Sequence, residues 1–600
     1  MIKSKIICTI VLSVLALVLC CTVLYSCGGN NTIPTTTTVK SEIGDSLDGV
    51  NKDFSDEDIN SGYNESGASK ITFSSDKATA GMGAQANGTD VTVTNAGTFV
   101  VSGSCADGSI TVSAGKDASV RLVLSGLELC NADGPVILVK NAKKVTITLA
   151  EGTTNTISDT AGYSMSDGNT VIDAAIFTKK DLVINGDGTL VVNGNNAHGI
   201  VSKDNLQITG GNIEVTSVSA GICGKDSLKI MGASIKVKAG SDALRSDNDT
   251  DAGMGFIYIQ SGNFDLYCNN DAVQAYGIAN IEGGTFKITT TSTSTLESAK
   301  GIKGVGGVKI SAGELDITSE DDAIHSDASI LISGGNMTVS SGDDGIHAND
   351  TLEICGGNIV IKNSYEGIEA TDIFIMDGYV DITSSDDGIN ASGGNDTSTS
   401  TGGRPGDMFG EPTNGSINVS GGYVIMHIEG DGVDANGSFN VSGGVVLVDG
   451  PSRGGNGTMD YAGEATITGG TVVMLGTSDM AQNFSRAEQG SVLVSSNGYF
   501  PAGTVMSICD EDGNVILAFT ATKQFNGALF SAPEIEKGKT YTFYMNADVS
   551  GLDENGYAHN TTQTGGEACG EVTLDDYICG QGSGMGGGMP GGGRPGGRPW

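Results

Sequence analysis

The chain of 600 residues carries 71 acidic and 32 basic side chains, a net charge of −39, with 92 glycines and one tryptophan. Phosphate backbones reward clustered Lys and Arg, and the few cations here are scattered through an acidic field, so nucleic acid is excluded as a partner. A charged fraction of 17%, below the usual roughly 25%, with glycine at about twice its usual ~7%, favours an all-β exported protein over a helical enzyme or a disordered chain.

Lys3 and Lys5 precede an apolar run from Ile6 to Tyr25, long enough for a signal h-region or a single membrane span. Leu24-Tyr25-Ser26-Cys27-Gly28 then resembles a bacterial lipobox, with Tyr25 where a small residue is usual. The expectation is a lipoprotein signal peptide over 1–27, Cys27 as the lipidation site, and an extracellular protein anchored to the cell membrane. An uncleaved anchor is the alternative, and it places the rest of the chain on the same side. Residues 28–69, rich in Asn, Thr, Ser, Asp and Gly, read as a flexible tether. Eight cysteines follow Cys27, and without CxxC spacing they do not predict zinc. Cys569 and Cys579 suit a local disulfide; most of the others read as small buried or half-buried residues.

Next come strands expected to cap one end over 70–110, and then a repeat. From Leu206 to about residue 475 the chain repeats apolar-x-Ile-x-Gly-Gly-x-apolar-x-apolar, a turn, and Asp-Gly-Ile-x-Ala/Ser. The first isoleucine recurs at Ile208, Ile230, Ile259, Ile281, Ile310, Ile332, Ile354, Ile375, Val419, Val441 and Ile467, mostly 21 or 22 residues apart. One 44-residue step reads as two periods carrying an insertion near Asp396 to Gly415. Two columns, one from Ile213 to Val472 and one from Val215 to Met474, never turn polar. Period-2 alternation aims both inward. Such short strands cannot bury their apolar faces alone, so they stack, each coil adding ~4.8 Å to every sheet. The predicted fold is an all-β, right-handed parallel β-helix over 111–490, with an N-terminal cap and a small C-terminal antiparallel β unit over 491–547. Residues 548–600 read as a Cys/Gly-rich tail.

The turn phrase is where chemistry can reside. It reads Asp242-Ala-Leu-Arg245, Asp271-Ala-Val-Gln274, Lys300-Gly-Ile-Lys303, Asp322-Ala-Ile-His325, Asp344-Gly-Ile-His347, Glu366-Gly-Ile-Glu369, Asp387-Gly-Ile-Asn390 and Asp431-Gly-Val-Asp434. Its first residue is acidic in seven of these eight coils, and Asp321, Asp343 and Asp386 precede it in three. Carboxylates stacked at ~4.8 Å repel one another. Calcium, which takes six to eight oxygen ligands, relieves that repulsion. The candidate metal ligands are Asp321, Asp322, Asp343, Asp344, Glu366, Asp386, Asp387, Asp431 and Asp434. The alternative is that Asp merely builds the turns through Asx hydrogen bonds. His325 and His347 share one outward position on adjacent coils, as a metal or proton-transfer pair or as ordinary solvent-facing residues. Tyr379 and Tyr423 share another, as sugar-stacking faces or as cover for the sheet. These four are the candidate carbohydrate contacts.

Beyond the repeat, the phrases Ala96-Gly-Thr-Phe-Val-Val-Ser-Gly103, Val120-Arg-Leu-Val-Leu-Ser-Gly126, Val145-Thr-Ile-Thr-Leu-Ala-Glu-Gly152 and Ile467-Thr-Gly-Gly-Thr-Val-Val473 resemble the secreted clostridial-type carbohydrate-binding β-helix proteins. The resemblance covers roughly residues 70–546. It implies non-catalytic, calcium-containing binding of plant cell-wall polysaccharide, polygalacturonate-like or cellulose-like. A polyuronate is repelled by this chain unless calcium on the Asp column inverts the local sign. Two other functions compete. One is pectate-lyase-like β-elimination, with Arg245, Lys300 and Lys303 beside the ladder as candidate bases. The other is a structural adhesin or stalk. Fold alone does not separate the three.

Overall fold

Short strands of alternating polarity, interrupted every few residues by glycine pairs, turn a corner three times per period. The computed structural model describes residues 43–580 except 45, 293–297 and 392–414. The leader with Cys27, the insertion and the last 20 residues lie outside the described residues. One coil runs through Asn205–Ile208, Asn212–Ser217 and Ile222–Gly224. The next runs through Ser227–Ile230, Ala233–Ala239 and Leu244–Ser246, each strand pairing in parallel with its counterpart. Repetition gives three parallel sheets, called here the first, second and third in the order a coil visits them. The structure is therefore the predicted parallel β-helix.

The register matches the columns of the sequence. Ile213, Ile235, Phe264, Phe286 and Leu315 are direct partners on successive coils, as are Val215, Val237, Leu266, Ile288 and Ile317, and all are buried in one continuous core. Phe264 and Phe286 stack with ring centroids 4.4 Å apart. At the corner between the first and second sheets, Gly357 and Gly378 have φ of 101° and 100°. A Cβ there would sit 3.1 and 2.9 Å from a carbonyl oxygen of the preceding coil, so the Gly-Gly pair is a requirement of both conformation and space.

Several expectations change. The 44-residue step is one coil, not two: Ile375 pairs directly with Val419 and Tyr379 with Tyr423, so the insertion leaves the stack without adding to it. Parallel pairing begins early, because Ser69–Phe73 pairs with Gly97–Cys105 and that strand with Ser119–Asn131. The tether expected over 28–69 is ordered in its second half. Residues 46–60 lie across the first sheet as a strap, with Leu47, Val50 and Asp58 buried. Val50 packs with Phe54 against Phe256 and Tyr258. Lys144 meets Asp58 at 2.6 Å, Lys52 meets Glu282 at 2.8 Å and Lys309 meets Asp48 at 2.5 Å. Polar composition hid this, because the anchors are charges that the outward faces of the coils complete.

At the far end Phe525–Ala532 adds antiparallel to Thr471–Gly476 and closes the second sheet's edge. A five-stranded antiparallel sheet of Tyr557–Thr561, Val515–Thr520, Val505–Cys509, Thr540–Met545 and Glu567–Thr573 follows. The C-terminal unit thus continues through residues 548–579, which the sequence assigned to a tail. It packs on Ile425, Leu447 and Val473, outward residues of the second sheet that are apolar for this reason. Cys569 and Cys579 are both free, as are the other described cysteines, so the expected disulfide is not formed.

Candidate functional site

Each turn phrase sets its acid at the corner entering the third sheet and its last residue on that sheet's outward column. The register runs Arg245, Gln274, Lys303, His325, His347, Glu369, Asn390 and Asp434. The corner acids tie coil to coil. Asp271 Oδ1 accepts the Lys300 N–H at 2.9 Å, Asp322 Oδ1 the Asp344 N–H at 3.1 Å and Asp387 Oδ1 the Asp431 N–H at 2.6 Å. The turn-building role of these acids is therefore real, and it occupies one oxygen of each carboxylate.

In the middle of the ladder those charges are compensated from within. Lys300, buried, lies 2.6 Å from Asp322 and 3.1 Å from Asp321. His325 Nδ1 bonds Asp322 at 2.7 Å and its Nε2 bonds Asp327 at 2.8 Å. Burial pushes the Asp322 carboxyl up, but the His325 hydrogen bond and the Lys300 charge outweigh it and hold the group below the usual range. His347 is fully buried, with Nδ1 at 3.0 Å from Asp344 and 3.5 Å from Glu369. Burial opposes its charge, yet the Asp344 bond and the carboxylates of Asp322 and Glu369 raise it to about 9. Asp344 is itself pushed up by burial and by its acidic neighbours. His325 and His347 are thus not the solvent-facing residues expected. They are outward in register but buried, each with its Nδ1 bonded to the acid of its own turn phrase.

Further along, no Lys, Arg or His among the described residues offsets the acids. Oxygens of Asp387, Asp431 and Asp434 lie within 4.8 Å of one another. Burial and then Asp431, Asp434 and Asp386 push Asp387 up to about 8. Burial raises Asp431 to about 7, with Asp434 and Asp460 adding to it, and burial with Asp460 and Asp386 raises Asp434 to about 6. Glu366 is driven well above its ordinary value by burial and by Asp344, Glu369 and Asp387, with Asn390 donating at 2.8 Å in partial relief. Three half-buried carboxylates that raise one another form the donor set a hard divalent cation neutralises, so these residues fit calcium better than the Lys300-paired group of Asp321, Asp322 and Asp343 does. Asp460 was missed because its coil lacks the Asp-Gly-Val phrase; its pairing with Asp434 places it in the same column.

Tyr379 and Tyr423 do stack, with centroids 5.5 Å apart and planes 19° off parallel. Their hydroxyls are occupied by the C-terminal unit: Tyr423 donates to Asp553 at 2.9 Å, Asn555 Nδ2 reaches both hydroxyls at 3.2 Å, and Tyr557 packs edge-on against Tyr423. This corrects the open sugar platform to a docking seat. Of the candidate lyase bases, Arg245 is paired with Asp247 at 3.0 Å and Asp242 at 3.5 Å and Lys300 is buried in its ion pair, while Lys303 is half-buried beside His325.

A parallel β-helix with an acidic corner ladder is the class of protein that fold and site define. Residues 87–345 and 343–507 match the family described as carbohydrate-binding domain-containing protein, and the chain belongs to that family. A carbohydrate-binding domain-containing protein of Acetivibrio thermocellus is 38% identical over 149 residues, which is 24% of this chain and 52% of the relative. The chain thus spans about half the length of the curated relative it matches. Among solved structures, a polysaccharide lyase-like protein from C. thermocellum, a gadolinium derivative, is similar at 29% identity with a TM-score of 0.35, over 48% of this chain and 99% of that one.

Proposed function

We propose that this protein binds acidic plant cell-wall polysaccharide of the polygalacturonate or pectin type at the bacterial cell surface, without cleaving it, through calcium held at the far end of its ladder. The observation that carries the reading is the cluster of Asp387, Asp431 and Asp434, whose carboxylates sit within 4.8 Å and are raised by burial and by one another. Asp386 and Asp460 stand beside it as further donors. A cation there neutralises the site and, with ligand positions left over, takes carboxylate oxygens of a uronate chain; this turns repulsion by a chain of net charge −39 into attraction. The non-catalytic reading is supported by the engagement of Arg245 and Lys300 in ion pairs, since a proton-abstracting base must be free to act. Anchoring through lipidated Cys27 is part of the proposal and rests on the leader pattern.

The test is affinity electrophoresis of the mature chain in gels containing polygalacturonate, with calcium and with chelator, while absorbance is followed for unsaturated products. Retardation that needs calcium, with no product, is expected. Product formation would assign the lyase, and a calcium-dependent melting temperature without retardation would assign the stalk.

A further inference from the structure

The outward column of the third sheet is graded in charge, from Arg245, Gln274 and Lys303 at one end to Glu369, Asn390 and Asp434 at the other. Most of its cations are taken. Arg245 pairs with Asp242 and Asp247, His325 with Asp322 and Asp327, and His347 with Asp344. Lys303, half-buried, makes no ion pair among the described residues. The acids that feel its charge are engaged elsewhere: Asp271 Oδ1 accepts the Lys300 N–H at 2.9 Å, and Asp327 Oδ1 meets His325 Nε2 at 2.8 Å. In a chain of net charge −39 an ammonium left unpaired on an outward column is a place for an anion from outside.

We propose that Lys303 holds one carboxylate of a uronate chain directly, as a second anchor distant from the calcium cluster, so that the polysaccharide lies along the third sheet in the stacking direction and is selected by its length. The inference rests on the calcium-dependent binding proposed above and adds to it a contact that needs no metal. Such a contact is a charge-assisted hydrogen bond.

Five strand spacings separate Lys303 from Asp434, about 24 Å at ~4.8 Å each. An extended uronate chain advances by about one such spacing per ring, so about six rings reach from one anchor to the other. Between them His325, His347, Glu369 and Asn390 are all buried, and this column sets no exposed acid against the polyanion over that span. Beyond Lys303, on the side away from the cluster, Gln274 leaves its Oε1 without a hydrogen-bond partner among the described residues, an acceptor that a ring hydroxyl satisfies. Tyr276 follows two residues on, outward by alternation and 44% exposed. It offers an apolar face to the C–H side of one further sugar. Once calcium holds one end of the chain, the contact at Lys303 forms within the complex, so its gain appears only in ligands long enough to span both anchors.

Calorimetry of the full mature chain in calcium tests this with galacturonate oligomers of three and of seven rings, alongside polygalacturonate. The expected result is that the heptamer binds at least tenfold tighter than the trimer, and that Lys303→Gln removes the difference while calcium raises its melting temperature as it does the parent's. Lys303→Arg, which keeps the charge, keeps the preference for the longer ligand. Equal affinity of the parent for the two oligomers, or an undiminished preference in Lys303→Gln, overturns the second anchor and leaves the calcium site standing. Unsaturated product that forms with the parent and is lost in Lys303→Gln makes Lys303 a proton-abstracting base and overturns the anchor too. Failure of trimer, heptamer and polygalacturonate alike overturns the function proposed above together with this inference.

Discussion

Lys300 stands at the one coil where the ladder's acid is replaced by a base, and its neighbours depend on it. Removing one partner from a buried pair leaves an uncompensated charge, at a cost of about 3–5 kcal/mol. Lys300→Met is therefore expected to lower stability by that order in urea unfolding, because Asp322 stays buried 2.6 Å from an absent ammonium. Asp431→Asn is expected to do the opposite in chelator at pH 8: it removes one of three mutually raised carboxylates, so the metal-free protein melts higher, while the stabilisation that calcium adds is lost. A ladder of purely turn-building acids would make Asp431→Asn destabilising in both buffers.

At the scale of elements, the covers on the sheets decide which surfaces are open. The strap over the first sheet hangs on Asp58, which is buried, accepts from Lys144 at 2.6 Å and lies where its own carbonyl receives Asn185 and Thr209. Asp58→Ala is expected to loosen residues 46–60 while sparing the helix behind them, read as faster amide exchange in the strap and unchanged exchange in Ile346–Asn363. In the core, Phe286→Ala removes a ring stacked at 4.4 Å on Phe264 and is expected to cost about 3–5 kcal/mol. The coils were legible in sequence because their period is strict and the columns from Ile213 and Val215 never admit a polar residue. The strap was not legible, since its composition is that of a linker and its partners, Lys144, Lys229, Glu282 and Lys309, lie up to 261 residues away. The C-terminal strands beyond residue 547 were missed for a similar reason: Tyr557–Thr561 and Glu567–Thr573, with few apolar residues, owe their order to Val515–Thr520 and Thr540–Met545 beside them. The acids of the site could be read from the turn phrase, but the burial of His325 and His347 could not. Strand alternation gives the direction of a side chain and not what lies over it.

For the whole molecule the ladder ties stability to pH and, under the proposed function, to calcium. Asp387 and Asp431 have folded values of about 8 and 7, far above the ~3.9 of an unfolded aspartate. In that window the native state binds more protons than the unfolded state, so stability falls as pH rises. Metal-free protein is expected to lose melting temperature from about pH 4 to pH 8, the window those values define. On the proposed calcium binding, the cation is expected to displace the protons and flatten the slope, with its stabilisation largest at the alkaline end. Melting curves across that range in EDTA and in calcium check both statements; parallel slopes in the two buffers would contradict cation binding at the cluster.

The most direct measurement titrates polygalacturonate into the mature chain and into Asp431→Asn, in calcium and again after chelation. The account predicts heat of binding for the parent in calcium alone and none for Asp431→Asn in either buffer. Equal binding by the parent in EDTA, or by Asp431→Asn in calcium, would contradict it.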